Sequence, residues 1–202
     1  NAYIAQLEST DYDKVSVKAL CECAGIVRST FYTYFTDIYE VIQTIEDDLT
    51  SAFGRVDSQA RATFRAGEKT PSPAALTDWG FSLQPPPGFC EWFDCCEEHS
   101  IALRAMLGPH GDPYFEEKFR RLLVKHIELL MEMDGMPDDE LRRGFVEAMT
   151  ETHVLLTRNW LLHENTTLSK GRMITIANSI RVGGNTMGHF SNDTDAQLQW
   201  AR

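Results

Sequence analysis

The chain has 202 residues, 43% of them apolar, which is enough for a buried core in one large or two small domains and argues against a disordered segment. No apolar run reaches the roughly 18 residues of a membrane-spanning helix, and the opening residues lack a secretory pattern. Five cysteines, an odd number without regular spacing, fit a reducing cytoplasm rather than a disulfide scaffold, while a net charge of −11 sets a difficulty for any nucleic-acid role.

Ala2 to Leu7 reads as the end of a helix, with Ile4 and Leu7 three apart. The pattern is already helical at Asn1, so further residues are expected upstream. Ser9, Thr10, Asp11 and Asp13 make a polar turn, and Ser16 stands where a hydroxyl would cap the next helix. Val17, Leu20, Cys21 and Ala24 line one face of that helix, and Gly25 supplies the left-handed conformation that stops it. A second short helix follows from Arg28 to Phe35, dense in hydroxyl and aromatic side chains. Two short helices joined by a tight turn are the grammar of a helix-turn-helix, with the second helix as reader of a DNA groove.

The stretch AGIVRSTFYTYFTD resembles the helix-turn-helix signature of the tetracycline-repressor (TetR) family of bacterial transcriptional regulators. Gly25, Thr30, Phe31, Tyr32, Tyr34 and Phe35 fall on that signature's turn glycine and its Thr-Phe-Tyr-x-(His or Tyr)-Phe ending. The resemblance covers about the first quarter of the chain. It implies an all-α protein with a helix-turn-helix head over residues 1–46 and a helical ligand-binding and dimerisation domain over 47–202. It also implies a homodimer that binds a palindromic operator in double-stranded DNA, most simply as a repressor, and answers a small-molecule effector. Ser16, Lys18, Arg28, Ser29, Thr30, Tyr32, Thr33 and Tyr34 are the expected DNA-contacting residues. Arg28 can pair with a guanine edge or a phosphate, the small hydroxyls can approach closely, and the tyrosines can donate to phosphates. Phe31 and Phe35 are expected to seat the helix.

Two departures and the charge weigh against tight binding. Val27 stands where the family has a capping Ser or Asn, a loss of about 1 kcal/mol. Ile38 replaces a Lys that would meet phosphate, which would shallow the salt dependence by about one unit of slope. Residues 1–46 hold Lys14, Lys18 and Arg28 against seven carboxylates, a balance of −4.

From Asp37 to about Ala66 a long helix is predicted, with Val41, Ile42, Ile45, Leu49, Ala52, Phe53 and Val56 at helical spacing. Gly67 to Gly88, rich in proline, reads as a loop with a short element around Leu76 to Leu83. Glu91 to Leu107 is predicted as one helix. Asp112 and Pro113 then open another, along which Phe115, Phe119, Leu122, His126, Leu129 and Met133 form a stripe. The stretch from Met106-Leu107-Gly108 to Phe119 resembles one in the branch of the family related to dihydroxyacetone-kinase regulators. Acidic Asp138, Asp139 and Glu140 start a helix running to about His163 that reads as apolar nearly all round, and Ser169 opens a last one. Two such apolar helices predict burial against a second copy, which agrees with dimerisation through the last two helices in the resembled family. Beyond Gly183-Gly184 the tail turns polar and reads as loosely held.

A sensor cavity needs a few polar groups in an apolar lining. Trp92, Cys95, His126, Met149, His153 and Trp160 are the candidates for effector contact, although His126 and His153 also suit hydrogen-bonded core positions and Met149 suits core filling. Cys90, Cys95, Cys96 and His99 raise a metal- or oxidant-sensing alternative, but the paired-cysteine spacing of a structural zinc site is missing, so no metal or cofactor is expected. No catalytic motif is present, and GGNTMG lacks the strand and helix that a nucleotide loop requires, so an enzyme is not expected. The rival reading keeps the fold and drops direct DNA binding, leaving a ligand-binding or protein-interaction dimer that acts through a partner.

Overall fold

The computed structural model describes residues 2–66, 85–162 and 168–191, the last seven as backbone only. The expected loop and element over 67–84 and the tail beyond Ser191 lie outside the described residues. Within them the chain is all-α: α1 (Ala2–Gln6), a 3-10 turn (Tyr12–Lys14), α2 (Val17–Ala24), α3 (Arg28–Tyr34), α4 (Ile38–Arg65), α5 (Phe89–Glu98), α6 (Ser100–Met106), α7 (Pro113–Met133), α8 (Glu140–Leu162) and α9 (Lys170–Ser191).

The caps read from the sequence at Ser16 and Asp112 recur in the structure, and Asp37 supplies a third. The Ser16 hydroxyl accepts from the Ala19 N–H at 3.2 Å, the Asp37 carboxylate from the Glu40 N–H at 3.0 Å, and Asp112 from the Tyr114 N–H at 2.8 Å. Glu40 reaches back to the Thr36 N–H at 2.6 Å and hydroxyl at 2.8 Å, so α4 starts on a reciprocal pair of bonds. The Thr36 bonds also hold the Glu40 carboxyl below its ordinary range.

The α1–α3 unit closes over Tyr3, Leu7, Val15, Leu20, Cys21 and Phe31, and Val41 and Ile42 of α4 complete that core. The same buried cluster continues along α4 through Leu49, Ala52 and Phe53 to Trp92, Leu103, Met106, Phe115 and Phe119. Helix α4 therefore carries head and body on one rod. A second cluster joins α5, α7, α8 and α9 through Phe89, Phe93, Ile127, Leu130, Met131, Met149, Met173 and Ala177.

Three expectations need correction. The helix predicted over 91–107 is two helices, α5 and α6, broken at His99, whose φ −98° and ψ 17° leave the helical range. The break lets Trp92 and Cys96 bury against α4 and α7 while Leu103 and Met106 turn toward α1, which one straight helix would not reach. Helix α8 is not apolar all round. It buries Val146, Met149, Thr150, His153, Val154, Thr157 and Leu161 and exposes Glu147 and Glu151 between Leu141 and Leu155. Helix α9 also continues through Gly183 and Gly184 to Ser191. Gly184 fits because a Cβ there would lie 1.6 Å from the Phe145 ring of α8, a close approach that only glycine allows.

One buried ion pair fixes α9 to the body. Arg181, 1% exposed, binds Asp134 at the end of α7, and its Nε donates to Asn178 at 3.0 Å. Its guanidinium carbon sits 5.9 Å from the centre of the Phe89 ring.

Candidate nucleic-acid interface

Helix α2 stops at Gly25, with φ 67° and ψ 31°. The Gly25 N–H bonds back to Glu22 O at 3.3 Å and the Ile26 N–H to Cys21 O at 3.0 Å, a Schellman closure that turns the chain sharply into α3. Val27 stands at the start of α3 without a side-chain cap, as its residue type dictates. Phe31 is the buried anchor of α3, set edge-on to Tyr32 at 5.3 Å and tilted against Phe35 at 5.6 Å.

Everything else on α3 faces out. Arg28, Ser29, Thr30, Tyr32, Thr33 and Tyr34 are all exposed, Tyr34 at 73%. The structure thus gathers six of the eight expected DNA-contacting residues on one short exposed helix, with Ser16 and Lys18 exposed at the start of α2, about two helical turns before Gly25. Three of the eight are partly committed elsewhere, Ser16 through its cap on the Ala19 N–H. The Thr33 hydroxyl donates to Ser29 O at 3.0 Å, leaving it as an acceptor only, and Lys18 lies 3.9 Å from the Glu22 carboxylate. Lys14 pairs with Asp11 at 2.6 Å. Arg28 has no carboxylate within ion-pair range among the described residues. The face is a hydroxyl-rich and aromatic surface with one uncommitted guanidinium.

Tyr39, 70% exposed at the first turn of α4, follows α3 closely in the chain and was not among the expected contacts. Its signal was available: an aromatic residue off the stripe of Val41, Ile42 and Ile45 has no core to enter. Ile38, by contrast, packs against the head core, so the position that lacks a lysine is spent on packing.

The candidate effector residues lie in two groups in the body. In the first, the Trp92 ring is sandwiched between Phe53 at 4.3 Å and a stacked His126 at 4.4 Å. His126 is 2% exposed, and its Nδ1 meets Asp57 Oδ1 of α4 at 2.7 Å, a partner the sequence reading missed. The buried Trp92 indole N–H has no hydrogen-bond partner among the described residues. Cys95, one turn on from Trp92, is a thiol pushed up to about 11 by burial. In the second group His153 lies between Phe89 and Phe93, with its Nδ1 2.8 Å from Met149 O, and Trp160 packs 6.4 Å from Phe93. Burial pulls the His153 imidazole down to about 4, so it is neutral at physiological pH.

A cavity of about 670 Å³ lies elsewhere, between the head and α4, lined by Tyr3, Leu20, Phe31, Ile45, Asp48 and Arg55 among others, and none of the six candidates lines it. Cys90, Cys95, Cys96 and His99 form no ligand set for a metal among the described residues. Compared with known proteins, the chain matches no family model, and no curated protein or solved structure matches it either.

Proposed function

We propose that this protein is a DNA-binding transcriptional regulator, acting as a homodimer whose α3 helices enter successive major grooves of a palindromic operator. The observation that carries this reading is α3 itself. A two-bond Schellman turn presents a helix that buries only Phe31 and projects Arg28, Ser29, Thr30, Tyr32 and Tyr34 outward. Seven residues with one buried anchor make a poor packing element and a good groove reader. Half-sites would lie about one turn apart, ~34–36 Å, or a multiple of it. A small-molecule effector bound in the body would shift the spacing of the two heads through its differential affinity for two states. Repression in the cytoplasm is the simplest setting.

The test is a gel-shift titration of the full-length protein on DNA from its own promoter region. Arg28→Ala and Tyr32→Phe should each weaken binding, Arg28→Ala by about 1–3 kcal/mol where it reads a base. Unchanged affinity for both variants would remove α3 from the reading.

A specific observation favours a second reading, a dimer of the same fold that acts through a protein partner. Lys14 and Lys18 are already paired, and exposed Val27, Tyr32, Tyr34 and Tyr39 give the head an apolar and aromatic surface. Binding with no salt dependence, or no shift at low salt on any promoter fragment, selects that reading.

A further inference from the structure

The segment between α6 and α7, residues 107–112, touches the head rather than solvent alone. The Tyr12 N–H donates to His110 O at 2.8 Å, and His110 Nδ1 meets Asp11 Oδ1 at 2.7 Å. The other Asp11 oxygen accepts from Lys14 Nζ at 2.6 Å, and the two bonds together hold the Asp11 carboxyl below its ordinary range. Tyr3, buried in α1, donates its hydroxyl to Tyr12 O at 3.4 Å, so the turn that receives His110 is itself tied to α1.

The segment is built to hold this shape. A Cβ on Gly108 would lie 2.6 Å from Arg104 O, and one on Gly111 would lie 2.1 Å from Met106 O. Both glycines fold the chain back on the end of α6, and Asp112 starts α7 immediately afterwards. Nearby, α4 and α7 share a second polar tie. Glu46, 4% exposed, binds Lys118 through one oxygen, while its other oxygen is buried without a partner among the described residues.

We propose that the 107–112 segment is a clasp that sets the orientation of the α1–α3 unit on the body, with Asp11 and His110 as its releasable side-chain contact. The inference stands on the seam geometry and is read without DNA, so a protein that binds none can still pass or fail it. Asp11 and His110 are positioning residues here, acting through the turn they hold.

The test is amide hydrogen exchange on the full chain, read by peptide over 2–14, 16–35 and 113–133. Asp11→Ala and His110→Ala should each speed exchange over 2–14 by about two- to tenfold, the range for loss of one hydrogen bond, with 113–133 unchanged. The double variant should exceed the Asp11 single one by little, because that variant already lacks the His110 contact. His110→Asn, whose side-chain amide falls about where Nδ1 lies, should restore protection. Unchanged exchange over 2–14 would overturn the clasp. A rise spread equally over 113–133 would overturn it too, because that reports general destabilisation.

Discussion

Two glycines separate backbone demand from packing demand. At Gly25 a Cβ would meet nothing within 4 Å, yet φ is +67°, so Gly25→Ala costs only the left-handed penalty of about 1–2 kcal/mol. At Gly184 the backbone is helical, but an added Cβ would fall inside the Phe145 ring. Gly184→Ala should therefore cost about 1–3 kcal/mol through displacement of Phe145. Phe145→Ala in the Gly184→Ala background should recover part of that loss, which chemical denaturation of the four proteins would measure, while no such pairing exists for Gly25. Val27→Ser is the complementary gain: a hydroxyl at the uncapped start of α3 should stabilise the head by about 1 kcal/mol, read as a shift in unfolding midpoint.

At the scale of elements, the α5–α8 packing makes a pH prediction. His153 is neutral when folded, held at about 4 against an ordinary 6.5. The unfolded chain binds the extra proton first, so stability rises with pH across that window. The contribution is complete above about 6.5 and is lost as pH falls through about 4. The slope should approach 1.4 kcal/mol per pH unit at most, and His153→Gln should flatten it between pH 4.5 and 6. An identical slope in both proteins would place the titration elsewhere. Asp11 and Glu40, whose carboxyls are also lowered, lose stability with acid in the same direction, so the comparison with the variant isolates His153.

What could be read from the sequence also divides at this scale. The turn at Gly25 and the caps Ser16 and Asp112 were legible because each depends on neighbours within a few positions. The break at His99 was not, since nothing local stops α5 there, and it is the landing of Leu103 and Met106 on α1 that ends it. The exposed side of α8 was misread because Leu141 and Leu155 look like core residues until Glu147 and Glu151 are seen beside them. At the candidate sites, the outward set on α3 followed from its own pattern. The bond between His126 and Asp57 crosses 69 positions, and that between Arg181 and Asp134 crosses 47, distances over which periodicity carries no information.

For the molecule as a whole, the open question of assembly has a direct measurement. Leu155 at 59% and Ile176 at 36% exposure are apolar residues on the outer sides of α8 and α9. If two copies meet through these helices, Leu155→Lys with Ile176→Lys should convert a dimer to a monomer in sedimentation velocity while the helical circular dichroism stays unchanged. A wild-type protein that sediments as a monomer at all concentrations would remove the dimer, and with it the operator spacing, from the proposal.

The 28 residues of α4 span about 42 Å at 1.5 Å per residue, and they run without a break from the exposed Tyr39 to the edge of the body. A rod of that length is a lever with a large mechanical advantage. A tilt of only about 5° about its body end would carry the other end roughly 3.7 Å, slightly more than the ~3.4 Å between successive base pairs. The same tilt moves Phe53, twelve residues before Arg65, by about 1.6 Å, so under the proposed DNA reading a shift of less than half that size against Trp92 becomes a whole base-pair step at the head.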